Sequence, residues 1–193
     1  MAVNVSAKQL AHGSGLVPLV AAALRDARID PATLVLEVTE SAVMDDAEAT
    51  LAILTELKGL GVKLAIDDFG TGYSSLVYLK RFPVDQLKVD RSFVSGLGTD
   101  SDDSAIVASV VGLARAVGIV AIAEGVETAG QLAALQRLGC TWGQGYLWSR
   151  PVPAEELDQV IRSGGFPRLT PRPTQPLPTG APTEQRSIQY RHD

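Results

Sequence analysis

Apolar residues in this chain fall into short runs that end on carboxylates: LVLEVTE (34–40), VKLAIDDFG (62–70), LKVD (87–90) and IVAIAEGVE (119–127). Runs this short and rich in Val, Ile and Leu predict strands, placed over 2–5, 34–38, 63–67, 86–89, 119–123 and 142–147. The stretches between them carry apolar residues at helical spacing and predict helices over 15–28, 46–60, 73–81, 102–117, 128–138 and 154–163. Glycines close several of these helices, as in KGLGVKL and RLGCTW, and Pro83 stops the one before QLKVD. A repeated strand–helix pattern predicts a parallel sheet with helices packed outside it. Right-handed crossovers then put every strand's C-terminal end on one face, where Asn4, Glu37, Asp67, Asp68, Lys88 and Glu124 gather. Unpaired acids resist burial, so acids that recur at strand tips point to convergence on a cationic ligand, and a metal site is the leading expectation.

Six strand–helix units in 165 residues fall short of the eight units and roughly 250 residues of a closed barrel. The expected fold is therefore α/β, a TIM-like (β/α)8 barrel that is incomplete, with about six βα units. The chain opens almost directly on VNV, which places two further units before Met1 as an expectation. Residues 1–165 read as one domain. Residues 166–193 contain Pro167, Pro171, Pro173, Pro176, Pro178 and Pro182 with few large apolar residues, the composition of a disordered tail.

Composition narrows the chemistry. The 193 residues are 46% apolar, ample for a core. The formal charge of −5 is uneven: 1–165 hold 13 Lys and Arg against 20 Asp and Glu, while 166–193 hold four Arg against Glu184 and Asp193. An acidic body argues against a surface that tracks phosphates, so neither DNA nor RNA is expected as a partner. There is no signal peptide and no apolar run near the length of a membrane span. Cys140 is the only cysteine; it excludes an intrachain disulfide framework, fits a reducing compartment and so a cytoplasmic location, and reads as a structural thiol within LGCTW. The two histidines, His12 in the AHGSG turn and His192 near the end, are poorly placed for catalysis. Any metal must then be held by oxygen, which favours Mg²⁺ or Mn²⁺ over zinc.

Taken singly, an acid such as Asp90 could cap a helix or pair with Arg91. Asp67 and Asp68 are less easily dismissed, because adjacent carboxylates repel unless a cation lies beside them. Gly70 and Gly72 follow in a permissive loop, FGTGYSSL. Together VNVS (3–6), LEVTES (36–41), DDFGTGYSSL (67–76), LKVDRSFV (87–94), AEGVET (123–128) and QGYLWSRP (144–151) resemble the EAL domain family. These are bacterial signalling phosphodiesterases that cleave cyclic di-GMP to linear pGpG on a (β/α)8 barrel with two divalent metals. The resemblance covers about 2–163 in the family's order and spacing.

The resemblance implies that Asn4, Glu37 and Asp67 are metal ligands, with Asp67 bridging to a second metal that Asp68 helps to hold. It implies that Lys88 binds and orients the attacking water, the other reading being a strand-end salt bridge to Asp67 or Asp68. Glu124 corresponds to the family's proposed base, acting through metal-bound water. Gln144 corresponds to a residue contacting the nucleotide, and Glu40 to the glutamate that fixes the DDFG loop. Tyr73, Ser74 and Ser75 either simply start a helix or, as in the family, belong to a homodimer contact through 69–76. Trp142 and Trp148 flank Gln144 and are either core residues or a stacking surface for guanine. The departure from the family is the missing Glu-Ala-Leu segment, whose glutamate is a ligand and whose nearby arginine contacts the substrate phosphate. Three readings follow: part of a cyclic di-GMP phosphodiesterase that hydrolyses poorly by itself; a non-catalytic descendant binding the nucleotide or a protein; or another metal-dependent barrel lyase or hydrolase, against which DDFGTGYSS argues.

Overall fold

Six strands pair in the order in which they occur along the chain, every neighbour parallel: β1 Ala2–Val5, β2 Val35–Thr39, β3 Lys63–Phe69, β4 Gln86–Val89, β5 Val120–Ala123 and β6 Trp142–Gly143. Parallel neighbours need crossovers, and helices supply them: α1 Ala7–Ala11, α2 Leu16–Ala27, α3 Glu40–Asp45, α4 Ala47–Gly59, α5 Leu76–Arg81, α6 Arg91–Ser95, α7 Ser101–Val117, α8 Ala129–Leu138 and α9 Ala154–Arg162. This computed structural model describes residues 1–11, 15–72 and 76–162. His12, His192, Tyr73 to Ser75 and the Pro-rich segment 166–193 lie outside the described residues. Among those described, β1 and β6 each have a partner on one side only, so the sheet is the expected α/β barrel in incomplete form. No described helix is long and apolar enough to cross a membrane.

Side chains alternate across the sheet, as the pleat requires. Leu36, Val38, Leu64, Ile66, Leu87 and Val89 are buried on the face that meets the helices, together with Leu54 and Leu57 of α4 and Val107 and Val111 of α7. Asn4, Glu37, Ala65 and Gln86 form a row in register on the opposite, concave face, and Lys88, Ile122 and Trp142 form the next. The Lys58 ammonium lies 2.6 Å from Asp85, whose carboxylate also accepts from Leu64 N–H at 2.8 Å, so one acid ties α4, β3 and the approach to β4.

The structure departs from expectation in two respects. The strand placed over 142–147 stops at Gly143, because from Gln144 onward the backbone turns to the loop after β5: Val126 N–H donates to Gln144 O (3.0 Å) and Leu147 N–H to Val126 O (2.9 Å). Trp142 therefore stands on the concave face of an edge strand, 61% exposed, and is no core residue, while Trp148 packs against the core. The short helices α1, α3 and α6 were not anticipated, since five or six residues carry too little periodicity to read. Two have visible local causes: Thr39 caps α3 through Ala42 N–H, and Asp90 caps α6 through Ser92 N–H. Cys140 is buried and its Sγ donates to Trp142 O at 3.2 Å; burial raises the thiol's pKa, as suits a structural role.

The turn at Gly145 is sterically exacting: a Cβ there would lie 2.2 Å from Val126 O. Gly145→Ala should cost about 2 kcal/mol of stability by urea unfolding, the order of other overpacked sites. A change within experimental error would show that 144–147 can swing away from the β5 loop.

Candidate metal centre and active site

The site begins with a bulge. Ile66 pairs with Leu87 and Phe69 with Val89, so β3 spends Asp67 and Asp68 where β4 spends only Lys88. The extra residue returns Phe69 to the buried face and leaves both acids at the strand tip. Asp68 takes the left-handed conformation (φ 54°), which Asp tolerates better than most residues.

Lys88, only 4% exposed, reaches from β4 into the concave face and meets three carboxylates: Glu37 on β2 at 2.8 Å, Asp67 on β3 at 3.0 Å and Glu124 just after β5 at 2.5 Å. The salt-bridge alternative named Asp67 or Asp68; the partners found are Asp67, Glu37 and Glu124, because the bulge turns Asp68 elsewhere. Burial works against the ammonium, but hydrogen bonds to Glu124, Glu37 and Asp67 outweigh it and hold Lys88 above the ordinary lysine pKa. Burial pushes Glu124 above the usual glutamate range, with Lys88 opposing. Asp68 is raised by burial, then by the charge of Asp67 and by Asp90. Oxygen atoms of Asp67, Asp68 and Glu124 lie within 4.8 Å of one another, a spacing that suits a shared cation. Asn4 stands beside Glu37 in the register, at the exposed edge.

Outer contacts orient this cluster. Glu40, at the start of α3 and 2% exposed, accepts from Gly70 N–H at 2.8 Å and Gly72 N–H at 3.3 Å, holding the loop after Asp68. A Cβ on Gly72 would lie 2.9 Å from Glu40 Oε1. Gln144 donates through Nε2 to Glu124 Oε1 at 2.6 Å. A groove of about 940 Å³ leads from Glu124 and Gln144 past Trp142, Tyr146 and Arg150, whose guanidinium lies 4.5 Å over the Tyr146 ring.

Asp90 is the residue that sequence reasoning undervalued. It does cap α6, its Oδ1 accepting from Ser92 N–H at 2.8 Å and from the Ser92 hydroxyl. It also faces Asp68: despite burial, hydrogen bonds from Ser92 and interaction with Asp68 depress its pKa. Arg91, its suggested partner, pairs with Glu127 at 2.7 Å instead. The signal was its place two residues after Lys88, at the end of a strand that already supplied the site's cation.

Residues 1–151 match the family model described as the EAL domain. The chain belongs to the EAL domain family. It is 54% identical over 157 residues to the bifunctional diguanylate cyclase/cyclic di-GMP phosphodiesterase MucR of Pseudomonas aeruginosa, covering 81% of this chain but 23% of MucR. The structure of the PaMucR phosphodiesterase in complex with c-di-GMP superposes with a TM-score of 0.78 at 54% identity, over 81% of this chain and 63% of that one. Klebsiella pneumoniae BlrP1, solved with manganese and c-di-GMP, gives a TM-score of 0.72 at 40% identity, over 78% of this chain and 38% of that one. The chain thus spans under a quarter of the length of its curated relative MucR.

Removing the ammonium leaves three carboxylates crowded at the strand ends. Lys88→Met should cost about 3 kcal/mol or more at pH 7 without added metal, measured by urea unfolding. Because the folded pKa lies above the unfolded one, the contribution of Lys88 is complete at pH 7 and is lost only as pH climbs past about 10.4 toward the folded value. Unchanged stability would mean that the cluster does not hold these strands together.

Proposed function

We propose that this chain carries the phosphodiesterase site of a protein that hydrolyses cyclic di-GMP to linear pGpG with two divalent cations. The observation that carries this reading is a charge deficit: Glu37, Asp67 and Glu124 share the Lys88 ammonium, with Asp68 and Asp90 adjacent. Carboxylates so placed attract cations, and an all-oxygen donor set suits Mg²⁺ or Mn²⁺. The manganese and c-di-GMP bound to BlrP1, and the c-di-GMP bound to PaMucR, support both halves of the proposal.

In this reading Asn4, Glu37 and Asp67 would hold one cation, and Asp67 would share in holding a second with Asp68. When bound, such cations polarise a phosphoryl oxygen, acidify water and offset charge on the departing oxygen. Hydrolysis breaks one phosphorus–ribose oxygen bond and forms one from phosphorus to the oxygen of water; one water proton ends on the leaving oxygen and the other passes to a base. Lys88, with its raised pKa, remains a donor and orients the water without deprotonating it. Glu124, its pKa raised by burial, is the base in this scheme and, with an oxygen close to those of Asp67 and Asp68, would also help to hold the second cation. Glu40 keeps the loop that follows the two aspartates in place, and the groove beside Gln144 accepts the nucleotide. Segment 69–76 is the proposed homodimer contact; Val77, which follows it, is 68% exposed, and Glu40 links Gly70 and Gly72 of that segment to the site.

Asp67→Asn in the full-length protein should lower pGpG formation by about 100-fold or more, since it removes charge where two cations meet. Glu48→Gln, in the surface ion pair with Arg81, should leave activity unchanged. Full activity in Asp67→Asn would remove the two-metal reading.

Metal choice provides an independent check. Turnover should require Mg²⁺ or Mn²⁺, and Ca²⁺ should bind competitively without supporting it, because Ca²⁺ accepts looser geometry and acidifies water less. Robust pGpG formation in Ca²⁺ alone would contradict the mechanism.

A further inference from the structure

Two donors meet the Glu124 carboxylate, and both choose the same oxygen. Lys88 Nζ lies 2.5 Å from Oε1 and Gln144 Nε2 lies 2.6 Å from it. No hydrogen bond from a described residue engages Oε2. A carboxylate held between two donors at one oxygen cannot rotate freely, so the direction of its second oxygen is set as well. The orientation of the amide follows from chemistry: an ionised carboxylate only accepts, so the nitrogen of Gln144 must face it.

Gln144 is itself firmly placed. Its N–H donates to Ala123 O at 2.8 Å, and its carbonyl accepts from Val126 N–H at 3.0 Å, on either side of Glu124 in sequence. Gly145 allows the next step of the chain to run against the Val126 backbone, where a Cβ has no room. The side chain that steers Glu124 is thus anchored to the same short loop that carries Glu124. An oxygen of Glu124 also falls in the group with Asp67 and Asp68.

We propose that Gln144 is a positioning residue for the metal centre: by holding Glu124 at Oε1 it turns Oε2 toward a cation shared with Asp67 and Asp68, and so sets cation affinity before any nucleotide arrives. This rests on the metal centre proposed above and assigns Gln144 a task distinct from touching the nucleotide. Lys88 alone would leave Glu124 free to pivot about one contact. The amide supplies the second point and adds no charge to the site.

The test is calorimetric titration of Mn²⁺ into the full-length protein without nucleotide, for wild type, Gln144→Ala and Gln144→Met, with folding checked by circular dichroism. Methionine keeps the length and removes the donor. Both variants should bind Mn²⁺ about tenfold more weakly, as is usual when a partner of a metal ligand is lost. In kinetics, the loss in kcat should be largely restored by raising Mn²⁺, while KM for cyclic di-GMP stays within about twofold of wild type. Unchanged Mn²⁺ affinity with a raised KM would make Gln144 a nucleotide contact and overturn the proposal. Unfolding of both variants would assign Gln144 to the fold and overturn it equally. Absence of Mn²⁺ binding by the wild type would be a different failure, removing the metal centre and with it this inference.

Discussion

One buried ammonium organises the strand ends of this sheet. Lys88 is shared among acids contributed by β2, β3 and the end of β5, so four successive strand–loop junctions are pulled toward one point. Burying a charge is costly, and the cost is met here because the ammonium has three charged partners within 3.0 Å. The arrangement is unbalanced by the geometry of the sheet: the bulge places two aspartates opposite one lysine, and a third, Asp90, just after β4, lies against Asp68. A site built this way holds its negative groups close without neutralising them, which is the electrostatic condition for binding divalent cations.

The surroundings keep that condition from collapsing. Left to themselves, mutually repelling carboxylates would swing outward, and the backbone that carries them would follow. Glu40 prevents this on one side by accepting from two backbone N–H groups of the loop after Asp68. Ser92 does so on another by donating to Asp90, whose ionised form it favours. Beyond Glu124, the Arg91 stem lies so close over Gly125 that a Cβ there would collide with it, and Arg91 pairs with Glu127 across the same turn. Glycine at 125, with φ of 66°, is thus required by both backbone and packing. These contacts place the cluster on the rigid ends of strands rather than on independent loops, which is how a site keeps its geometry while its charges repel.

Much of this was legible because it is local. A strand followed by a carboxylate, repeated along the chain, already implied a parallel sheet with acids on one rim, and the spacing of LEVTES, DDFG, LKVD and AEGVE brought Glu37, Asp67, Lys88 and Glu124 onto that rim. The bulge was not legible: nothing in IDDFG states that one residue is extra, since that depends on which residues of β4 stand opposite. For the same reason only Asp67 among the three partners of Lys88 was foreseen, and Asp90 was read as a local cap or a partner of Arg91 when its second neighbour, Asp68, comes from another strand. Trp142 was weighed as core on its composition alone, yet its exposure follows from its place on the concave face of an edge strand.

By itself, the sequence determined the alternation of strands and helices, the family, and the gathering of carboxylates at one rim of the sheet, because these rest on periodicity and on motif spacing. The tertiary structure decided the pairing: which acids share Lys88, which oxygen of Glu124 is held, and where Gln144 spends its amide. Such choices depend on register between strands 20 to 40 residues apart, where a shift of one position would turn each side chain to the other face. Only the folded sheet sets that register, through the burial of Leu36, Ile66, Leu87 and Phe69 on the side away from the site.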